Sequence, residues 1–373
     1  MNFKKIFLII LFTAISLESF SFIFSYFRLL PVSTTPNFYS VSTYNNFRNE
    51  KNIWGAWHKK DLKIRHKTDC FDAIYETNNI GAKDYDFNYK KNNKKRFVLL
   101  GDSFAEGFGV SNEFVFKSNL EKKLNLEIYN FGSSGALGPV QYYLIYKNLV
   151  SKYEHDSIII SFLPANDFNE NDYELWKKKN WHVFDDVERY RPYFIKKDGR
   201  FDYFIPKNAQ KRDHWYFLDN QNTLEKIKSF IRENFWSFNI YKSFVLIKNY
   251  ANKKSEKYSG FFDATLEQQE ASMYFLKKIL MTKKFDSAVF IIFPTVEDLD
   301  RIYLKKKDVK TQKWYKDLVK IKNSVNYNLK IINIADYVKS SEDYKKYLHT
   351  CDDHLNKEGN ELVSKILYQE MTN

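Results

Sequence analysis

The sequence predicts an α/β protein built on a doubly wound, mostly parallel sheet. Two observations carry that expectation. Apolar runs of strand length alternate with amphipathic segments of helix length from residue 96 to the C-terminus. The first three runs also each end in a polar or glycine-bearing loop: Gly101-Asp102-Ser103, the bend from Asn130 to Pro139, and Pro164-Ala165-Asn166-Asp167. Sheets of this kind bind ligands outside the carboxyl ends of their strands, so the recurrence places a candidate site along one sheet edge.

In chain order, Lys4-Lys5 precede an apolar run from Ile6 to Leu17, which resumes after Glu18 through Phe27. A basic flank before such a run marks a secretory signal or an uncleaved anchor. Glu18 interrupts the hydrocarbon-compatible stretch, and no small-residue cleavage site stands out. Residues 1–29 are therefore expected to be a signal anchor or signal peptide. The favoured location is an inner or plasma membrane anchor with the remaining chain in the periplasm or extracytoplasmic space. Secretion after cleavage and a buried helix of a soluble protein are the alternatives. Residues 30–93 hold Pro31, Pro36, many Asn and Ser, and little periodicity, and are expected to be a linker and N-terminal extension wrapping onto the main domain.

The main domain, residues 94–373, opens on Arg96-Phe97-Val98-Leu99-Leu100, a buried-strand pattern that Gly101 can stop and turn. A helical pattern follows from Phe114 to Leu124, then a strand at Leu126–Tyr129, a helix from Gln141 to Leu149 and a strand within Asp156–Phe162. An aromatic-rich insertion spans about 170–260. In it Tyr190–Ile195 and Gly199–Pro206 form two strands across a Lys-Lys-Asp-Gly turn, and helical spacing appears at Leu224, Ile227 and Ile231 and again from Ile240 to Tyr250. Beyond it come a helix from Leu266 to Met281, a strand at Ala288–Pro294, a helix over Thr311–Ile321, a strand at Leu329–Ile334 and a terminal helix from Glu361 to Glu370.

Composition bounds the function classes. The chain has 373 residues with 44% hydrophobic content and few Gly and Pro, which excludes a disordered or fibrous protein. Its formal charge of +13 comes from scattered Lys clusters with acids interspersed, and no nucleic-acid motif accompanies them, so no specific nucleic-acid partner is expected. The 34 Phe and 27 Tyr fit a biased background or the lining of a carbohydrate groove. Seven His without a His-Glu-x-x-His spacing do not suggest a metal, and no cofactor is expected. The two cysteines, Cys70 and Cys351, fit either one disulfide or two buried thiols.

A hydroxyl at the carboxyl end of a strand is a candidate nucleophile, and Ser103 holds that position. The alternative is a strand followed by an ordinary polar turn. The glycine-rich bend containing Gly135 can bring a backbone N–H to a bound group, or be a plain loop. Asn166 can donate its amide to a developing oxyanion, or cap a helix. Near the C-terminus Asp352-Asp353-His354 supplies an imidazole with two candidate acids.

Taken in order, Gly101-Asp102-Ser103, Gly135, Asn166 and Asp352 with His354 resemble the SGNH or GDSL hydrolase superfamily, in particular its extracytoplasmic, membrane-associated glycan O-acyl esterases and acetyltransferases. The resemblance covers roughly Asn79 to the C-terminus apart from much of 170–260. It implies a three-layer α/β/α sandwich with a flavodoxin-like sheet. It also implies Ser103 as nucleophile, His354 as base, Asp352 as its acidic partner, and an oxyanion hole made by Ser103, Gly135 and Asn166. Asp353 remains an alternative acid. The chain departs from the family where Pro164-Ala165-Asn166-Asp167 replaces Gly-x-Asn-Asp, which puts the local backbone in question but keeps the donor. The activity implied is serine-dependent hydrolysis of acyl esters, O-acetyl groups on a surface or secreted glycan above all. O-acetyl transfer to a glycan and a catalytically inactive glycan-binding relative are the alternatives. An acylated carbohydrate or other ester is the expected substrate, and protein partners of a glycan-modifying system are the further partners implied.

Overall fold

The computed structural model describes residues 2–27, 29–30, 47–68, 70–184, 187–212, 223–252, 257–350 and 352–372. Five parallel strands form the central sheet: β1 (Arg96–Leu100), β2 (Glu127–Asn130), β3 (Ser157–Phe162), β4 (Ser287–Ile292) and β5 (Asn328–Asn333). Their order is β5-β4-β3-β1-β2. This is the flavodoxin-like order, in which the direction of winding reverses between β1 and β3 and opens a crevice at their carboxyl ends. Leu100 pairs with Ile160, so the loops after β1 and β3 leave the sheet side by side.

Every residue of β1 and β3 is buried. Such continuous apolar runs are what a parallel sheet covered on both faces requires. Helices Phe116–Leu124 and Lys357–Thr372 pack together, while Leu266–Leu280 packs with Pro139–Asn148 and Lys313–Ser324, giving the α/β/α layering. The helix Leu266–Leu280 starts where its sequence says it should: Thr265 Oγ1 accepts from Gln268 N at 3.2 Å, and Gln268 Oε1 accepts from Thr265 N at 2.9 Å. That reciprocal cap satisfies two otherwise orphaned donors.

Gly101 is fixed by crowding. A Cβ there would lie 2.7 Å from both Ala105 Cβ and Ser161 Cβ and 2.9 Å from Ser161 O. Only a residue without a side chain lets the chain turn from β1 into the short helix Ser103–Glu106 against β3.

Within 30–93, where periodicity is not legible, the chain builds two antiparallel hairpins, Arg48–Asn52 with Gly55–His58 and Lys63–Lys67 with Asp72–Glu76. Phe47, Ile64, Phe71, Ala73 and Tyr75 make a small core of their own, while Trp54 and Trp57 join the main one. Strands of four or five residues, three of them carrying charged side chains, are too short to display a period of two. The Pro31 and Pro36 part of that stretch lies outside the described residues. Cys70 is disulfide-bonded, and Cys351, the other cysteine of the chain, lies outside the described residues.

In the insertion, Tyr193–Lys197 pairs with Arg200–Phe204 across Asp198-Gly199. Both turn residues have positive φ, 48° and 74°, as a tight hairpin turn demands. Helices Thr223–Asn234 and Ser237–Asn252 follow. At the N-terminus a 24-residue helix, Phe3–Tyr26, is long and apolar enough to cross a membrane, which agrees equally with an anchor and with a signal sequence.

Candidate active site

Three of the five residues singled out in the sequence meet in a hydrogen-bonded line. Ser103 sits at the start of the helix after β1, where Asp102 caps it by accepting from Phe104 N at 2.9 Å. His354 Nε2 lies 2.7 Å from Ser103 Oγ. On the other side of the ring, His354 Nδ1 is bonded to Asp352 Oδ1, which also accepts from the His354 backbone N–H at 3.0 Å. With the ring proton on Nδ1 and donated in a hydrogen bond to Asp352, Nε2 is free to accept from the serine hydroxyl. Burial by itself raises Asp352, but the hydrogen bond and charge of His354 outweigh it and hold the carboxyl below the usual aspartate range. Phe104 and Phe108 flank the imidazole, their centroids 5.5 and 4.4 Å from it.

The structure also separates the two acids. Asp352 and His354 lie on the same strand, Asp352–Leu355, two residues apart and hence on one side of it. Asp353 points elsewhere and lines a cleft of about 660 Å³ with Lys257, Arg301 and Lys345. Neither Ser103 nor His354 lines that cleft.

Asn166 lies in the short helix Pro164–Asp167 that follows β3. Its Nδ2 donates to Asp102 Oδ2 at 3.3 Å, beside the serine. Asp167 holds this segment in shape: it accepts from Leu163 N at 2.7 Å and from the Tyr142 hydroxyl at 2.6 Å. Burial raises Asp102, to about 6, against the opposing pull of the Phe104 amide, His354 and Asn166.

Gly135 lies on the loop after β2, with φ of +135°, a conformation that favours glycine. Its neighbours are clamped from two directions. Glu106, on the helix that Ser103 begins, accepts from both the backbone N–H and the hydroxyl of Ser134. Arg191 of the insertion donates to Ala136 O at 2.6 Å while its guanidinium stacks 3.8 Å over Trp176. Gly135 is thus tied to Ser103 through Ser134 and Glu106.

This clamp was not legible in the sequence. Glu106 is fully buried, with Arg48 Nη2 at 3.5 Å and His58 Nε2 at 3.3 Å, and Arg48 also reaches Ser134 Oγ. Burial would raise Glu106, but the adjacent His58 and Arg48 more than offset it and keep the group a carboxylate. Burial in turn lowers His58, against the opposing pull of Glu106. Below this cluster Lys83 is buried over the Tyr75 ring, 3.9 Å from its centroid, and donates to Gly107 O and Val110 O at 2.7 and 2.6 Å. The only advance signal for Glu106 was an acid three residues after Ser103, in a stretch otherwise apolar.

No protein-family model matches the chain, and no curated protein matches it. Among solved structures it is similar to a member of the lipolytic protein G-D-S-L family from Veillonella parvula DSM 2008, at 10% identity over 75% of this chain and 99% of that one, TM-score 0.33. It is also similar to a carbohydrate esterase family 2 enzyme with a carbohydrate binding domain from Corynascus thermopiles (Myceliophthora fergusii), at 9% identity over 76% and 67% of the two chains, TM-score 0.36. A third is a lipase/acylhydrolase from Enterococcus faecalis, at 15% identity over 74% and 95%, TM-score 0.31. Likenesses this distant carry no weight for chemistry. The line of hydrogen bonds from Asp352 to Ser103 does.

Proposed function

We propose that this chain is a serine esterase of the SGNH type, acting on acyl esters, with O-acetyl groups of an extracytoplasmic glycan as the substrate class. The observation that carries the proposal is the 2.7 Å contact between Ser103 Oγ and His354 Nε2, with Asp352 bonded to the far nitrogen of the same ring. A hydroxyl, an imidazole and a carboxylate in that order are the parts of an activated nucleophile.

In this mechanism His354 takes the hydroxyl proton as Ser103 Oγ attacks the ester carbonyl. Asp352 keeps the ring in the productive tautomer and stabilises the imidazolium. The oxyanion is met by the N–H groups of Ser103 and Gly135 and by Asn166. One amide hydrogen of Asn166 is spent on Asp102, which orients the group and leaves the second hydrogen for the substrate. His354 then protonates the leaving alcohol, and a water activated by the same imidazole releases the acid from the acyl-enzyme. The N-terminal helix, in this proposal, is an anchor that holds the domain outside the cytoplasm.

The test is to give purified wild-type protein and Ser103→Ala a simple acetyl ester and O-acetylated glycans with added sugar acceptors, and to measure free acetate and transferred acetyl. Serine-dependent acetate release supports the proposal. Transfer in place of release makes the chain an acetyltransferase using the same site, and no serine-dependent product from folded protein rejects both.

A further inference from the structure

Glu18 is the one acid in the apolar helix Phe3–Tyr26. A carboxylate in hydrocarbon is costly unless it is paired or hydrogen-bonded. Glu18 has such partners, and they come from the insertion: it accepts from Trp236 N at 2.9 Å, from Ser237 N at 3.1 Å and from the Ser237 hydroxyl. Ser237 opens the 16-residue helix Ser237–Asn252, so the carboxylate satisfies donors that a helix N-terminus leaves over and sits at its positive end. The seam continues outward. Asn239 Nδ2 donates to Ser25 Oγ at 2.9 Å, and Trp236 meets Phe22 edge-on at 5.2 Å between centroids. Ser21, Ser25, Asn239 and Ser243 are buried, the small and amide-bearing residues that let membrane helices approach and bond.

Each insertion helix also exposes apolar side chains, with Lys228 and Lys248 exposed among them. Leu224, Ile227 and Ile231 stand at helical spacing on Thr223–Asn234, 60, 52 and 45% exposed, and Phe244 and Ile247 on the second helix are 67 and 56% exposed. With Lys4-Lys5 on the cytoplasmic side, Glu18 lies eight residues from the outer end of the first helix. That is a depth of about 12 Å, within the outer half of a hydrocarbon core about 30 Å thick. A helix whose first turn is fastened at that depth meets lipid, not water.

We propose that Thr223–Asn234 and Ser237–Asn252 form a second membrane-contacting element. It docks on the retained N-terminal helix through Glu18 and buries Leu224, Ile227, Ile231, Phe244 and Ile247 in the outer leaflet. The occupant of that apolar face is the bilayer itself, because the face continues directly from a helix of membrane-spanning length and composition. The proposal rests on the anchor reading of the N-terminus and is independent of the ester chemistry. It accounts for Glu18 as a tether between anchor and insertion, and it requires the anchor to remain uncleaved.

The test uses the full chain in vesicles of phosphatidylcholine and phosphatidylglycerol, with spin labels on Ile227→Cys or Phe244→Cys. Leu11→Cys serves as the lipid control and Tyr89→Cys, 63% exposed, as the water control. Labels at 227 and 244 should collide freely with oxygen and be protected several-fold from an aqueous nickel chelate, as at 11. Nickel access at both sites equal to that at 89, with 11 protected, overturns the docking while leaving the anchor intact. An N-terminal peptide missing from the mature protein overturns the anchor and this proposal with it. Separately, Ser25→Cys with Asn239→Cys should form a cross-link whose yield drops several-fold on adding Glu18→Leu. A yield unchanged by Glu18→Leu refutes the tether.

Discussion

Replacing Glu106 by Gln keeps the volume of a wholly buried side chain and removes only its charge. Arg48, 3% exposed, then loses a carboxylate partner, and Ser134 loses a charged acceptor for two donors. Removing one partner of a buried ion pair costs about 3–5 kcal/mol, because the surviving charge stays desolvated. Against a typical stability of 5–15 kcal/mol that is a large share but not the whole, so the variant should still fold in the cold. At roughly 2–4 °C per kcal/mol for a chain of more than 150 residues, the melting temperature should fall by about 6–20 °C, read by near-ultraviolet circular dichroism in detergent. Because Ser134 adjoins Gly135, kcat on a simple acetyl ester should fall while KM moves little, as expected when an oxyanion donor is displaced. Adding Arg48→Met removes the cation that faced Glu106, so the costs of the two changes should overlap and not sum. A Glu106→Gln protein within about 1 kcal/mol of wild type, or a double variant that is simply additive, would refute the buried-pair account.

Other outcomes follow from the same geometry. Asp352→Asn should lower kcat by about 10³–10⁴-fold with the fold intact by circular dichroism, since an amide no longer fixes the imidazole tautomer; Asp353→Asn should leave kcat near wild type. Asn166→Ala should cost about 10²–10³-fold in kcat with little change in KM, measured on the same ester. Gly101→Ala should destabilise by about 1–3 kcal/mol in thermal melts, because its Cβ meets atoms of Ala105 and Ser161. Burial pushes Lys83 down to about 7, below the usual lysine value, so the unfolded chain binds the extra proton between that pH and about 10. Stability from this group therefore rises with pH across that window, and the rise should be missing from the melting temperatures of Lys83→Met.

The parts of the fold that were legible in the sequence are those whose burial is one-dimensional. β1, β3 and β4 are continuous apolar runs because both their faces are covered, and the loops after β1 and β3 flank the switch point of the sheet. Ser103 was therefore visible as a hydroxyl at a strand end, whereas His354 was visible only as an imidazole beside two acids near the C-terminus. The choice between Asp352 and Asp353 was not, since it depends on the two-residue period of a short strand that no alternation announces. The Glu106 cluster stayed hidden for another reason. Arg48 and His58 face each other across one hairpin that the sequence presents as an irregular stretch, and their meaning exists only once that hairpin folds over the loop carrying Gly135. Glu18 reads in the sequence as a flaw in an apolar segment. In the structure it is the acceptor for the first turn of a helix more than 200 residues away.

Whether Ser103 is a nucleophile activated by His354 is decided by reaction of the folded full-length protein with a fluorophosphonate ester followed by peptide mass analysis. One stoichiometric adduct on Ser103 is expected, abolished by Ser103→Ala and slowed by several orders of magnitude in His354→Ala. An unlabelled Ser103 in folded wild-type protein, or ester hydrolysis that survives Ser103→Ala at the wild-type rate, would contradict it.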